Sequence, residues 1–125
     1  MSYVDGFVVP IPLDRLEDYR RMAELGRTVW MEHGALDYQE YIADDVPDGK
    51  VTSFPMSVKL EPGEVVGFAY ARYRSREHRD EVMKKVMEDP RMDACKDPTT
   101  MPFDGQRLIW GGFRDLLDPG GRAAA

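Results

Sequence analysis

The chain has 125 residues, with 17 lysines and arginines against 23 aspartates and glutamates, so its formal net charge is -6. This length corresponds to one domain, and a hydrophobic fraction of 42% is enough to close one core, which argues against disorder. The negative charge disfavours nucleic acid and anionic membranes as partners, because binding to both relies on clustered lysine and arginine. We expect one domain over residues 1–117, followed by a flexible tail at 118–125.

The cysteine content and the N-terminus predict a compartment for the protein. Cys95 is the single cysteine, so an intramolecular disulfide is excluded, and no basic region precedes a long apolar run at the N-terminus. No stretch approaches the roughly 18 consecutive apolar residues that a membrane-spanning helix needs. We therefore expect a cytoplasmic protein without a membrane partner.

The chain begins with a predicted strand. Residues 3–11 are largely apolar, and Pro10 and Pro12 are predicted to stop the strand because proline cannot donate to a ladder. Apolar side chains alternate onto both faces of this segment, with Phe7 on one and Val8 on the other. Such a pattern predicts a central strand that is covered on both sides.

A helix is predicted from about Arg15 to His33, with Gly34 as its C-terminal stop and with Asp14 and Glu17 in capping-box spacing. One face of it is predicted to meet the sheet, and its residues are Leu16, Tyr19, Ala23, Gly26, Trp30 and His33. The two small residues of this face, Ala23 and Gly26, form a dip in its surface. The dip either lets the helix approach the sheet closely, which we favour, or leaves room for a ligand.

The remaining elements are predicted in chain order: a strand at 36–43, a loop at 44–50, an extended segment at 56–60 that forms a hairpin with a strand at 65–73, a helix from the Ser75 cap to about Asp89, a helical turn at 91–96 and a strand at 107–113. In the strand at 65–73, large Phe68 and Tyr70 alternate with small residues, so the small face can receive a helix. This order predicts an α+β fold with helices on one face of a mainly antiparallel sheet. Because the strands are apolar on both sides, the open face is predicted to pair with a second copy, as a homodimer.

Three particular strings then identify a family. They are WMEHGAL at 30–36, DDVPDGKVTSFP at 44–55, and MPFDG at 101–105 together with GGF at 111–113. With these strings the chain resembles the YbaA-like family of small bacterial proteins of unknown function, from Tyr3 to about Phe113. The resemblance implies a ferredoxin-like βαββαβ protomer of the dimeric α+β barrel superfamily. That superfamily contains cofactor-independent monooxygenases, haem-binding proteins and members without an assigned activity, so the fold does not imply one chemistry.

His33 is the first candidate functional residue, since it follows Trp30 by one turn at a helix C-terminus. A structural cap is the interpretation that we favour, because the last helical carbonyls and the helix dipole both suit an imidazolium. The alternative makes His33 a catalytic base at the mouth of a small-molecule pocket. That pocket is predicted to be lined by Trp30, Tyr41, Phe68 and Trp110, although aromatic residues at such spacing are core in most proteins.

A second candidate site is the basic cluster around the Ser75 cap. Arg74, Arg76 and Arg79 lie beside the free N–H groups of a helix start, which is an arrangement that can bind a phosphate or carboxylate. The alternative is a solvated face on which these arginines pair with neighbouring acids such as Glu77.

No metal site and no cofactor are predicted. His33 and His78 would lie at opposite ends of two helices of about 15 residues, roughly 22 Å apart, which is too far for shared metal ligation. The acidic run at 44–48 lacks the ligand spacing of a calcium loop and is interpreted as a hydrogen-bonded turn.

Two hypotheses of function follow. The resemblance suggests oxygen-dependent modification of a small aromatic or polyketide-like compound without a bound metal, with His33 as the base. The alternative is a non-enzymatic ligand-binding or stress-response protein.

Overall fold

A computed structural model describes residues 1–117, and the predicted tail at 118–125 lies outside them. In chain order the main elements are β1 (Tyr3–Pro12), α1 (Leu16–Glu32), β2 (Asp37–Ile42), α2 (Phe54–Ser57), β3 (Glu64–Tyr73), α3 (Arg76–Glu88), α4 (Asp93–Lys96) and β4 (Ile109–Arg114). Short 3-10 turns at Leu13–Arg15 and Pro90–Met92 lead into α1 and α4. None of the helices in residues 1–117 is long and apolar enough to cross a membrane.

The four strands form one antiparallel sheet in the order β2-β3-β1-β4. This is the strand order of a ferredoxin-like βαββαβ fold, and the predicted α+β class is confirmed. As predicted, β1 is central, with β3 on one side and β4 on the other.

The prolines of β1 do not end the strand, so that prediction is wrong. Pro10 and Pro12 pair with Val66 and Glu64 of β3, whereas the pairing of β1 with β4 stops at Val8. Beyond Val8, β1 is an edge strand on that side, and an edge position tolerates proline because no neighbour needs its N–H.

The first predicted helix is α1, whose ends lie one residue inside both predicted bounds. Gly34 follows it with φ of 112°, a left-handed conformation that glycine adopts without strain. The predicted capping box is wrong, since the N-cap residue is Arg15, whose guanidinium cannot accept a hydrogen bond.

The segment at 56–60 does not form the predicted hairpin. Residues 54–57 are helical as α2, and Ser53 caps this helix by accepting a hydrogen bond from the Met56 N–H at 3.1 Å. Pro55 occupies the first turn, where its missing N–H costs nothing. The neighbours of β3 are therefore β1 and β2 rather than this segment.

The two faces of the sheet differ as the alternation in β3 predicts. Ala69 and Ala71 are buried beneath the helices, where Ala71 packs with Val29 of α1 and Val82 of α3. Phe68 points to the opposite side and is 45% exposed. We call that side the open face, and its apolar residues are Val4, Val8, Phe68, Tyr70, Ile109 and Phe113.

A buried hydrogen-bonded network joins both long helices to the sheet. Asp5 of β1 is fully buried, and its carboxylate accepts hydrogen bonds from Arg79 Nη1 at 2.8 Å and from the Tyr73 hydroxyl at 3.0 Å. The Tyr73 oxygen in turn accepts a hydrogen bond from Trp30 Nε1 at 3.0 Å. Burial raises the pKa of the Asp5 carboxyl, while the hydrogen bond from Tyr73 and the charge of Arg79 oppose this rise. One carboxylate thus connects β1, β3, α1 and α3.

Replacing Arg79 with alanine is expected to lower the free energy of unfolding by about 3–5 kcal/mol, because it leaves Asp5 buried without its charged partner. The matched control is Arg76→Ala, which removes an exposed arginine of the same helix and is expected to cost at most about 0.5 kcal/mol. Urea unfolding of both variants measures the difference, and equal losses would contradict a structural role for the buried pair.

Candidate functional site

A cavity of about 490 Å³ lies between the helices and the sheet. Its floor includes one row of residues that crosses all four strands: Glu40 of β2, Ala69 of β3, Phe7 of β1 and Trp110 of β4. Neighbouring strands are about 4.8 Å apart, so this row spans roughly 14 Å. Ala69 has the smallest side chain of this row.

The helices and the segment that follows α3 provide the other walls. Flexible methionines line much of the cavity, namely Met22, Met83, Met87, Met92 and Met101. Trp30 of α1 and Phe103 add aromatic surface. Methionine has an adaptable chain and a polarizable sulfur, so these walls suit an aromatic or otherwise apolar guest.

The predicted dip in α1 is filled by a tyrosine of β2. A Cβ at Gly26 would lie 3.2 Å from the Tyr38 hydroxyl oxygen, which is tighter than an ordinary contact. The Tyr38 ring also packs against Trp30, with ring centroids 5.4 Å apart. The absence of a side chain at Gly26 therefore makes room for the Tyr38 hydroxyl, and both residues border the cavity.

The β2 end of the cavity carries a hydrogen-bonded carboxylate. The Tyr19 hydroxyl donates to Glu40 Oε1 at 2.5 Å, and the Tyr38 hydroxyl donates to Oε2 at 2.7 Å. Burial raises the pKa of both phenols, and the neighbouring Glu40 charge raises it further. Both tyrosines therefore keep their protons at neutral pH, and each holds one carboxylate oxygen in place.

Glu40 and Tyr38 were not predicted as site residues. The available signal is strand alternation, since Glu40 shares its side of β2 with Tyr38 and Ile42. A charged residue on the helix-facing side of a strand is costly to bury without partners, and Tyr19 and Tyr38 provide them.

The four residues predicted to line one pocket do not lie together. Trp30 and Trp110 border the cavity, whereas Tyr41 and Phe68 lie on the open face and are 54% and 45% exposed. Phe68 directly precedes Ala69, and successive side chains of a strand point to opposite faces. Tyr41 pairs with Phe68 across the sheet and shares its orientation.

His33 stands outside the residues that line the cavity in the described part of the chain. It is the C-cap residue of α1, and its Nε2 lies 2.8 Å from Asp89 Oδ2. Asp89 also accepts hydrogen bonds from Arg91, which together with the His33 contact hold the pKa of its carboxyl well below the ordinary range. The imidazole thus bonds to Asp89 rather than to the last carbonyls of α1, and this contact joins the ends of α1 and α3.

One arginine of the predicted basic cluster at the start of α3, Arg79, is largely buried. Arg79 directs its guanidinium at Asp5 and Asp80, and only 12% of its side chain is exposed. Arg74 and Arg76 are exposed and are the two arginines of the predicted anion site that face solvent. His78 is bonded locally, because its Nδ1 accepts a hydrogen bond from the Arg74 N–H at 3.0 Å.

Cys95 borders the cavity, and burial raises the pKa of its thiol. The protonated thiol is a poor nucleophile and a poor metal ligand. Within residues 1–117, no group of three or more histidine, cysteine, aspartate or glutamate side chains is placed to hold a metal ion.

Comparison with known proteins places the chain in a family. The model described as "Protein of unknown function (DUF1428)" matches residues 2–105. The chain belongs to this family. It is 49% identical over 118 residues to uncharacterized protein YbaA of Escherichia coli strain K12, covering 94% of this chain and 99% of that protein. The YbaA protein of Shigella flexneri matches with the same identity and coverage, and the family resemblance is thereby confirmed.

Solved structures support the fold. A NIPSNAP family protein from Agrobacterium tumefaciens has a TM-score of 0.60 and 16% identity, with 92% of this chain and 93% of that chain covered. A dimeric ferredoxin-like protein from an uncultured marine organism has a TM-score of 0.55 and 8% identity, with coverages of 90% and 91%. Identities this low show the shared ferredoxin-like fold alone.

The Asp89 contacts predict an acid-dependent loss of stability that Asp89→Asn removes. The pKa of Asp89 is lower in the folded protein than in the unfolded chain, so its ionised carboxylate stabilises the fold above about pH 4. This stabilisation is lost at lower pH, as the carboxylate is protonated. The variant is expected to unfold more easily than the parent near neutrality and to lose less stability on acidification. Urea unfolding across this pH window tests the expectation, and parallel pH profiles would refute it.

Proposed function

We propose that the protein binds an apolar small molecule in the cavity between its helices and its sheet. The observation that carries this proposal is the cavity itself, whose volume of about 490 Å³ lies within the usual range for ligand pockets. An apolar wall with a few convergent polar groups is the common design of such sites. Here the polar groups are Glu40, Tyr19 and Tyr38 at the β2 end.

A packing defect is a poor account of this space. Protein interiors are close-packed, and voids larger than a water molecule are few. In this chain the lining includes the small residue Ala69 and five methionines that adapt to the shape of a guest.

Binding without catalysis is the form of the proposal that the geometry favours. An oxygen-dependent reaction on a bound compound would use a base at the cavity wall, and His33 is turned instead toward Asp89. Glu40 is the carboxylate on the wall, and both of its oxygens already accept phenol hydrogens. These hydrogen bonds hold both oxygens in place, which suits Glu40 to binding a ligand.

We also propose that two copies associate through the open face. Phe68, Ile109 and Phe113 are 45%, 44% and 61% exposed there, and a monomer rarely leaves a large apolar patch uncovered. Gly6 and Gly111 leave a shallow apolar groove between these side chains, which a second sheet can enter. The dimeric ferredoxin-like protein from an uncultured marine organism, which has a similar fold, supports this proposal. In the proposed dimer, the sheets of the two copies would form a shared barrel.

The composition supports a proposed cytoplasmic location and the proposed partners. A net charge of -6 and a single cysteine fit a cytoplasmic protein whose partners are a second copy and a small molecule rather than nucleic acid.

Filling part of the cavity is expected to weaken ligand binding. Met87→Trp places a larger side chain at a half-exposed position of the cavity wall, and Lys84→Trp adds the same residue at an exposed position of α3 that does not line the cavity. Calorimetric titration with naphthol and methoxynaphthalene should show at least about tenfold weaker binding for Met87→Trp and unchanged binding for Lys84→Trp. If neither probe binds the parent protein, the proposed function is wrong.

Charge on the open face is expected to separate the dimer. Phe113→Glu would bury a carboxylate against an apolar surface, whereas Met31→Glu places the same charge on an exposed position of α1, away from that face. Native mass spectrometry should give a dimer for the parent and for Met31→Glu, and a monomer for Phe113→Glu. A monomeric parent protein would contradict the proposed assembly, and additional mass on the parent would reveal a retained ligand.

A further inference from the structure

We propose that the cavity selects compounds in which an apolar, preferably aromatic, body ends in a hydrogen-bond donor, a hydroxyl or an ammonium group, that binds Glu40. This inference rests on the proposed function and specifies the class of ligand. The supporting observation is the set of hydrogen bonds among Tyr19, Tyr38 and Glu40 at the β2 end of the cavity.

The polar end of the cavity presents hydrogen-bond acceptors. Each phenol has a single hydrogen, and Tyr19 and Tyr38 each give theirs to Glu40, at 2.5 Å and 2.7 Å. The two phenol oxygens keep lone pairs, and a carboxylate has about four acceptor positions, of which these bonds occupy two. With these bonds in place, a ligand that reaches this end forms a hydrogen bond to Glu40, Tyr19 or Tyr38 by donating a hydrogen.

The charge at this end also favours a donor. None of the ion pairs formed within residues 1–117 involves Glu40, and the neighbouring Arg20 pairs with Glu17 at 3.3 Å. Lys96 borders the same cavity, but its ammonium group donates to the Met87 carbonyl at 2.8 Å and pairs with Asp93 at 3.3 Å. A ligand carboxylate or phosphate would instead meet the negative charge of Glu40, and like charges repel.

The length of the floor sets the size of the apolar body. From Glu40, the row passes over Ala69 and Phe7 to Trp110, which is 56% exposed at the opposite end. The rings of Phe7 and Trp110 lie nearly parallel, with centroids 6.4 Å apart. A body of up to roughly 14 Å can therefore lie along the row, with its donor at Glu40 and its apolar end on the rings of Phe7 and Trp110.

Matched probes test this inference by calorimetry on the full-length protein. Naphthol, naphthylmethylamine, methoxynaphthalene and naphthoic acid, substituted at the same ring position, share one body and differ in the head group. Naphthol or the protonated amine should bind at least about tenfold more tightly than methoxynaphthalene, since hydrogen bonds to charged groups are among the stronger ones. Naphthoate should bind more weakly than methoxynaphthalene. A preference for naphthol identifies a neutral hydroxyl as the natural head group, and a preference for the amine identifies a cation.

Glu40→Gln assigns the preference to this carboxylate. The variant keeps the size of the side chain and removes its charge, so the advantage of the donor probes over methoxynaphthalene should fall to about threefold or less. Glu88→Gln, at an exposed position of α3, is the control and should retain the full advantage. Because the comparison of probes on the parent protein needs no variant, poor folding of Glu40→Gln would leave the test intact.

Two results would overturn the inference and are distinguishable from failure of the proposed function. Equal binding of naphthol, naphthylmethylamine and methoxynaphthalene would show a cavity that takes apolar guests without regard to the head group. Tighter binding of naphthoate would show that the polar end donates rather than accepts. Binding of none of the probes would instead contradict the cavity as a ligand site.

Discussion

The buried contact between Asp5 and Arg79 determines how the helices sit on the sheet. Asp5 is fully buried in the central strand, and its partners reach it from β3 and α3, while Trp30 of α1 bonds to Tyr73. Such a network tolerates little displacement, because a buried charge that loses a partner is costly. It therefore holds both helices at one position over the sheet, and the cavity begins in the next row of residues, where Ala69 neighbours Phe7.

Two hydrogen-bonded carboxylates on the helix side of the sheet serve different ends. Asp5 has a charged partner and no contact with solvent, so its hydrogen bonds close the core. Glu40 has two neutral partners, Tyr19 and Tyr38, and borders a cavity. A neutral partner leaves the negative charge uncompensated, and that remaining charge gives the cavity a chemical preference that its apolar walls alone would not have.

Much of the fold could be predicted from the sequence, because periodicity and helix ends are local signals. The two long helices and the central strand were predicted well, and Ser75 caps α3 as expected. The α2 helix was missed, since the Ser53 cap and Pro55 mark only one short turn. The site was predicted less well. Phe68 was wrongly predicted to line the pocket, because its neighbour Ala69 faces the helices and successive strand residues face opposite sides. Glu40 becomes recognisable as a site residue only from the strand register, which places it beside Tyr38.

The prolines at the end of β1 affect whether another strand can add to the edge of the sheet. Leu13 donates its N–H to Gly63 on the β3 side, so the strand positions one and three residues earlier, Pro12 and Pro10, direct their backbone nitrogens to the other side. Those nitrogens carry no hydrogen, and an incoming strand therefore finds no donors along this unpaired stretch. Addition of another strand to the sheet is therefore disfavoured along residues 9–12 of β1.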